Sequence, residues 1–331
     1  MGTNKQPLKG YLQNTAKTVV LPLALFVIFA VVALIQHNAF LTNDMLLYTL
    51  RVTCVTVMVA LAFALHLMSG SFDFSIGAVV YLSVIVGGRS ALALDLGPWG
   101  FLGLAIATGV ILDLVVGTLY ILLRLPLMVL TLGMLMVYEA MTQLVFGGNG
   151  LRIMNKLDYA MFGKTYNAIA IAVVCMVVIW FLLKYTKFGF HSRALARGQK
   201  IAFETGIREW KNVLLRYLIC GVLLGIAGVL HISGLMTLQA AKDMSSTGIM
   251  WGAVMPVIIG LSLARYSNVP VGVFMGVISM QIIGIGFICM GMNGTISTIV
   301  SGVFLLTFVI FTENKDKLMR RRILSAALEK K

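Results

Sequence analysis

The chain contains little charge for its length. Of its 331 residues, 11% are Asp, Glu, Lys or Arg, whereas an average soluble domain contains about 25%. Hydrophobic residues make up 60% of the sequence, and the mean hydropathy is +0.97. This composition excludes an ordinary soluble domain and is typical of a protein that crosses a membrane several times.

Sequence patterns of the common enzymes are also missing. The chain has no Gly-x-x-x-x-Gly-Lys-Ser phosphate loop, no His-Glu-x-x-His and no recognisable nucleophile motif. None of its four histidines has a partner at metal-ligand spacing. We therefore expect a non-catalytic protein that binds no cofactor or metal itself.

Cysteine is scarce, and no segment has the pattern of a barrel strand. The four cysteines all lie within apolar runs, so we interpret them as small buried hydrophobes rather than disulfide partners. Membrane strands would show alternating apolar and polar residues, which this sequence lacks. The predicted fold class is therefore an all-α polytopic membrane protein.

Apolar runs long enough to cross a bilayer recur along the chain. A membrane helix requires about 20 mostly apolar residues. Spans 76–92 and 248–265 are short, and Pro256 interrupts the second, so we expect broken or kinked helices there. We predict about ten spans in total: 18–36, 46–68, 76–92, 98–122, 127–146, 166–184, 213–233, 248–265, 268–288 and 296–312.

Lys and Arg are distributed unequally between the loops. If the first helix leaves the cytoplasm, about 20 of the 26 basic residues lie in cytoplasmic segments and about 5 in external ones. This asymmetry follows the positive-inside rule, so the net charge of +14 indicates contact with anionic headgroups rather than with nucleic acid. We predict a cytoplasmic N-terminal tail (1–17), a transmembrane domain (18–312) and a cytoplasmic C-terminal tail (313–331). The first helix is expected to remain as an anchor, since no small-residue cleavage site follows it.

The longest polar interruption covers residues 186–211. Ala194, Gly198, Ala202 and Gly206 recur in it at a four-residue spacing, which forms a smooth stripe along one face of a helix. Small side chains permit close approach, so we interpret the segment as a cytoplasmic helix that docks into a groove of a partner protein. The alternative is a solvated basic loop lying on anionic lipid.

Among the ionisable residues within predicted spans, where each costs about 2.5 to 3.5 kcal/mol on insertion scales, three stand out. Arg51 and Glu139 lie in the outer halves of their spans and carry opposite charge. Either they pair inside the bundle, or Arg51 extends to the outer surface. Asp113 is the deepest acid, and it either makes a structural hydrogen bond or takes part in solute passage.

Two short segments resemble each other. Asp73-Phe-Ser75 precedes the third span on the cytoplasmic side, and Asp243-Met-Ser245 precedes the eighth span on the outer side. This is typical of two inverted repeats, an arrangement that places a transport pathway between the halves. The candidate pathway residues are Asp73, Ser75, Asp113, Asn149, Gln239, Asn293 and Thr295.

Several motifs together resemble one known family. The long polar segment begins with Thr186-Lys-Phe188-Gly189 and continues to Gly206-Ile207, and Tyr217 and Gly221 follow it. Upstream lie Asp73-Phe-Ser75-Ile-Gly77, Arg124-Leu-Pro126 and Thr131-Leu132-Gly133. In these residues, and over nearly the whole chain, the sequence resembles the permease subunit of binding-protein-dependent ABC transporters for carbohydrate uptake, of the ribose, galactose and xylose type.

The resemblance implies a type II-like ABC importer permease in the bacterial cytoplasmic (inner) membrane. Its partners would be a second permease subunit, in a homo- or heterodimer, a cytoplasmic ATP-binding-cassette ATPase that binds ATP and Mg, and an extracytoplasmic solute-binding protein. Its solute would be a monosaccharide or a related polar compound. The residues that contact the ATPase would be Ala194, Gly198, Ala202, Glu204, Gly206 and Ile207.

The sequence departs from the family pattern near the eighth span. It has Gly260-Leu-Ser262 where the family has paired glycines, and it lacks an acid near Met250-Trp251. These departures suggest one half of a heteromeric permease. Three alternatives remain open: a branched-chain amino-acid-type ABC permease, an ion-coupled secondary transporter that uses Asp113 and Glu139, and a membrane scaffold.

Overall fold

The computed structural model describes the backbone of residues 8–197 and 208–328. Side chains are described within residues 17–195 and within residues 208–310. Within these residues the chain is almost entirely helical. The helices are α1 (Leu8–Gln36), α2 (Asn43–Leu67), α3 (Ile76–Ala93), α4 (Gly97–Leu123), α5 (Leu127–Leu144), α6 (Thr165–Tyr185), α7 (Lys187–Arg197), α8 (Glu209–Leu235), α9 (Thr247–Leu263), α10 (Val269–Cys289) and α11 (Gly294–Leu328).

Short elements join the helices. Three 3₁₀ helices cover Ala39–Leu41, Val145–Gly148 and Leu157–Gly163. Two strands of two residues each, β1 (Leu151–Arg152) and β2 (Thr237–Leu238), pair antiparallel. They tie the α5–α6 connection to the end of α8.

The helices agree with the predicted spans. In the described part of the chain, eight helices are long and apolar enough to cross a membrane: α1 to α6, α8 and α10. Helix α9 and the apolar part of α11, Gly294–Ile310, are shorter. Together they account for the ten predicted spans and confirm the all-α polytopic class. Helix α1 begins at Leu8, before the predicted boundary at 18, and α11 continues to Leu328.

Helix α2 lies at the centre of the bundle. Every residue from Val57 to Leu65 is at most 2% exposed, because α6, α8, α9 and α10 all pack against this helix. Helices α1, α4 and α6 instead expose large apolar side chains such as Leu34, Leu122 and Phe181. A helix that is apolar all round is suited to an interior position, and an exposed apolar face is suited to lipid or to another membrane subunit.

Helices α4 and α8 pack with their backbones in close contact. A Cβ added at Gly109 would lie 2.6 Å from the carbonyl oxygen of Gly221, and one added at Gly225 would lie 2.6 Å from that of Ala105. Small residues allow membrane helices to approach in this way and to gain van der Waals contact. This packing holds α8 beside the pathway-candidate residues of α3 and α4.

Candidate translocation site and coupling segment

Helix α7 forms the first part of the long polar segment. It buries Phe188 and Leu195 and exposes Phe190. Asn212 Nδ2 of α8 donates a hydrogen bond to Ser192 Oγ at 3.0 Å, which holds α7 against the start of α8. Of the predicted ATPase-contacting residues, Ala194 lies on α7, packed against Leu195. The others lie outside the described residues: Gly198, Ala202, Glu204, Gly206 and Ile207.

The Asp-Phe-Ser segment forms the N-terminal cap of α3. Asp73 Oδ1 accepts hydrogen bonds from the Ser75 backbone N at 2.7 Å and from Ser75 Oγ at 2.6 Å. Thr131 Oγ1, in the first turns of α5, accepts one from the Phe74 backbone N at 3.1 Å. A carboxylate at a helix N-terminus binds donors that have no partner within the helix and interacts favourably with the helix dipole.

The segment before α9 is also held by α5, but through different side chains. Glu139 Oε2 accepts a hydrogen bond from the Met244 backbone N, and Glu139 Oε1 accepts one from that of Ser246, both at 2.8 Å. Thr142 Oγ1 accepts a third from the Ala241 backbone N at 2.9 Å. Helix α5 therefore fixes both capped segments, one near each of its ends.

This arrangement corrects one of the two alternatives for Arg51. No carboxylate lies within 4 Å of its guanidinium in the described chain, and Glu139 binds the start of α9 instead. Arg51 lies over the Tyr48 ring, with 5.4 Å between Cζ and the ring centroid. The Arg51–Glu139 pair is therefore wrong, because backbone N–H groups at a helix start already satisfy the acid.

The similarity between the two capped segments is only partial. Asp243, the counterpart of Asp73 in sequence, is exposed and has a φ of 53°. The carboxylate that caps α9 comes from Glu139 on a different helix. Comparison of the two segments in sequence could not reveal that Glu139 takes the role at α9 that Asp73 has at α3, because Glu139 lies about 100 residues before α9.

The N-termini of α3 and α9 meet inside the bundle. A Cβ added at Gly77 would overlap the backbone oxygen of Ser246. In the predicted topology α3 starts from the cytoplasmic side and α9 from the outer side, so contact between their first turns places both capped segments within the membrane. Both helices are continuous over their described ranges rather than broken, and helices that begin at membrane depth in this way are typical of transporter pathways.

A buried polar cluster lies beside the α3 cap and consists of His66, Asp73, Asp113, Arg216 and Tyr217. His66 Nε2 lies 3.7 Å from Asp73 Oδ2, and the His66 ring packs edge-on against Tyr217 with centroids 4.9 Å apart. Neither oxygen of Asp113 has a hydrogen-bond partner in the described protein. Arg216 interacts electrostatically with both carboxylates. Because a buried charge is costly unless compensated, we interpret the cluster as a mutually compensating network.

The cluster bears on the two interpretations of Asp113. The structural hydrogen bond is not found within the described residues, although Asp113 is fully buried. Arg216 offsets part of the cost of burying this carboxylate, whereas burial itself and the nearby Asp73 carboxylate act in the opposite direction. The role in solute passage stays a prediction.

A separate cavity of about 390 Å³ lies between α2, α8, α9 and α10. Gln281 Nε2 donates a hydrogen bond to Thr56 Oγ1 across it at 3.0 Å. No acidic residue lines the cavity among the residues that the structure describes. Its polar side chains are those of Tyr48, Arg51, Thr56, His231 and Gln281.

The outer loops are fastened to one another by polar contacts. Arg89 Nε donates a hydrogen bond to the Gly150 carbonyl at 2.8 Å. Lys156 donates one to the Asp95 carboxylate, and this hydrogen bond raises the pKa of the exposed Lys156 ammonium above its ordinary value. These contacts connect the end of α3 and the start of α4 with the segment that follows α5.

The structure brings together only some of the predicted pathway residues. Asp73, Ser75 and Asp113 are all fully buried beside the α3 start. The other four are exposed and apart from them: Asn149, Gln239, Asn293 and Thr295. Sequence reasoning missed the polar lining of the 390 Å³ cavity. The signal that could have indicated this lining is the presence of two uncharged polar residues, Thr56 and Gln281, inside apolar spans.

Comparisons with known proteins all match this chain to permease components of transport systems. A family model described as branched-chain amino acid transport system / permease component matches residues 45–309. The ribose import permease protein RbsC of Escherichia coli (strain K12) is 23% identical over 303 residues, covering 89% of this chain and 93% of that protein. RbsC of Bacillus subtilis (strain 168) is 25% identical over 309 residues, covering 89% and 92%. The D-allose transport system permease protein AlsC of E. coli (strain K12) is 25% identical over 243 residues, covering 71% and 73%.

Proposed function

The chain belongs to the family of branched-chain amino acid transport system permease components, and on that premise we propose that it is the membrane-spanning subunit of an ATP-binding-cassette importer. Its solute is a monosaccharide or a related polar compound. Similarity to ribose and D-allose permeases over 71% or more of the chain supports a sugar rather than an amino acid.

One observation carries the proposal. The N-termini of α3 and α9 meet at Gly77 and Ser246, and each preceding segment is held by a carboxylate and by side chains of α5. Two short helices that begin against each other inside a bundle can shift relative to one another and expose a polar path alternately to either side. The pathway candidates Asp73, Ser75 and Asp113 lie next to this junction.

The driving force comes from outside the chain in this proposal. The sequence has no phosphate loop, so ATP and Mg bind to a separate cytoplasmic ATPase and the permease itself performs no catalysis. Helix α7 and the residues that follow it contact that ATPase. An extracytoplasmic solute-binding protein and a second permease subunit complete the assembly in the cytoplasmic membrane, with both termini of this chain in the cytoplasm.

The ion-coupled alternative has less support. It requires Asp113 and Glu139 as coupling acids, yet both oxygens of Glu139 are engaged by backbone N–H groups at the start of α9. An acid that must take up and release an ion would have to abandon that cap in every cycle. A fixed structural role fits these contacts better.

Uptake by reconstituted protein tests the proposal. The chain, its ATPase and its solute-binding protein are placed in liposomes, and entry of a labelled monosaccharide is followed with and without ATP. We expect uptake that requires ATP and that is lost in Gly206→Trp, because a bulky side chain blocks ATPase contact. Val174→Ala, an exposed position on α6, is the control and should retain uptake. Uptake driven by an ion gradient without nucleotide would refute the proposal.

A further inference from the structure

The cavity between α2, α8, α9 and α10 has a polar lining at membrane depth. Arg51 and Thr56 come from α2, His231 from α8 and Gln281 from α10. In the predicted topology these positions fall in the outer half of the bundle, where a solute arriving from outside would enter. The cavity is separate from the buried cluster around Asp113, with which it shares no residue.

Exposure of this lining to lipid would be costly. Arg51 lies in the outer half of α2, and a cationic side chain at membrane depth is costly where it faces lipid. Arg51 has no carboxylate within 4 Å in the described chain, so no ion pair offsets that cost. Ionisable residues in such positions face water or a transported solute, which assigns the cavity to the pathway rather than to the lipid surface.

The size and walls of the cavity suit a small solute. Its volume of about 390 Å³ falls within the range of about 300 to 1,000 Å³ that is common for small-molecule sites. Gly248 and Gly252 of α9 line one wall, and a Cβ built on either would meet no atom within 4 Å. These glycines leave the first turns of α9 open to a ligand, and the N-terminal end of a helix favours partial negative charge.

The polar groups of the lining are mainly hydrogen-bond donors. Arg51 offers guanidinium N–H groups and no acceptor, and Gln281, His231 and Tyr48 can each donate. No Asp or Glu lines the described cavity, so an ammonium group would find no anionic partner there. Hydroxyl and carboxylate oxygens would find several donors.

We propose that this cavity holds the transported solute and that it accepts hydroxyl-rich solutes, neutral or anionic, while rejecting those that carry an amine. The inference rests on the proposed function for its transport role, and it adds the position of the site and the chemical class of its ligand. The site residues are Tyr48, Arg51, Thr56, His231 and Gln281.

Binding by the purified complex of permease and ATPase tests the proposal without the solute-binding protein, which would impose its own selectivity. The probes are ribose and galactose as neutral sugars, galacturonate as an acid and galactosamine as an amine. We expect galactosamine to bind at least about tenfold more weakly than galactose, since loss of about 1.4 kcal/mol corresponds to a factor of ten.

Variants locate the binding. Gln281→Leu and the nearly isosteric Thr56→Val each remove one polar group and should weaken galactose binding about tenfold. Arg51→Gln should weaken galacturonate more than galactose. Thr118→Val is the control, because Thr118 Oγ1 of α4 bonds only within its own helix, to Leu114 O, and it should bind as the unmodified protein does.

The outcomes separate the two proposals. Equal binding of galactose and galactosamine, or unchanged binding in both Thr56→Val and Gln281→Leu, overturns the cavity assignment even where ATP-driven uptake persists. The predicted binding pattern without any ATP-driven uptake supports the cavity and refutes the importer. Failure of all four probes to bind a complex that transports sugar also overturns the assignment.

Discussion

Replacement of Glu139 is the most direct way to disturb the junction between the starts of α3 and α9. This side chain is 5% exposed and accepts hydrogen bonds from the backbone N atoms of Met244 and Ser246, both at 2.8 Å. Glu139→Leu introduces an apolar side chain that α5 tolerates and removes both acceptors. Glu139→Gln keeps one acceptor oxygen.

The expected loss follows from the burial of the two donors. Ser246 is fully buried, so its N–H is left without an acceptor at a cost of about 1 to 3 kcal/mol. Met244 is 40% exposed, so leaving its N–H without an acceptor costs less. Loss of the negative charge at a helix N-terminus adds about 0.3 to 1 kcal/mol. We expect the free energy of opening this segment to fall by about 2 to 4 kcal/mol in Glu139→Leu and by about half as much in Glu139→Gln.

Amide hydrogen exchange measures this loss locally. A reduction of about 2 to 4 kcal/mol corresponds to exchange that is roughly 30- to 900-fold faster at Met244 and Ser246. Gln143→Leu is the matched control: it lies on the same helix and removes one neutral bond to Ala241 O, of 3.0 Å. Its effect should be at most about tenfold. Exchange at Met244 and Ser246 that is no faster in Glu139→Leu than in Gln143→Leu would show that Glu139 does not hold this segment.

Two further perturbations test the packing around the junction. Gly77→Ala should destabilise the protein by about 1 to 3 kcal/mol because its Cβ overlaps the Ser246 backbone. Its melting temperature and its uptake should both fall. Gly103→Ala, whose Cβ meets no atom within 4 Å, should change neither. Asp113→Ala and Arg216→Leu, singly and together, test the electrostatic interaction between these two side chains; the melting temperature of the double variant should fall by less than the sum of the two single losses. Strictly additive losses in that double-mutant cycle would contradict the network.

The sequence predicted the spans well because the underlying signal is local. A helix in lipid must satisfy its own backbone hydrogen bonds and present apolar side chains, so about 20 apolar residues suffice to identify it. The short span at 248–265 was recognised for the same reason, and α9 covers Thr247–Leu263. The polar segment after Thr186 was also identified, and α7 forms its described part.

The candidate site was predicted less completely. Asp73, Ser75 and Asp113 do lie together, but Asn149, Gln239, Asn293 and Thr295 lie apart from them. Polarity near the end of a span was the basis for choosing the latter residues. It does not distinguish a side chain that faces a pathway from one that faces the outer surface.

The sequence by itself determined the class of this protein, its membrane spans and the position of its long polar segment, because hydropathy and charge act along short stretches of chain. Only the tertiary structure decided that Glu139 caps α9 rather than pairing with Arg51. The same holds for the cavity formed by Arg51, Thr56 and Gln281. Each of these depends on which helices lie side by side, and a buried polar group takes the partner that is nearest in space, however distant that partner is along the chain.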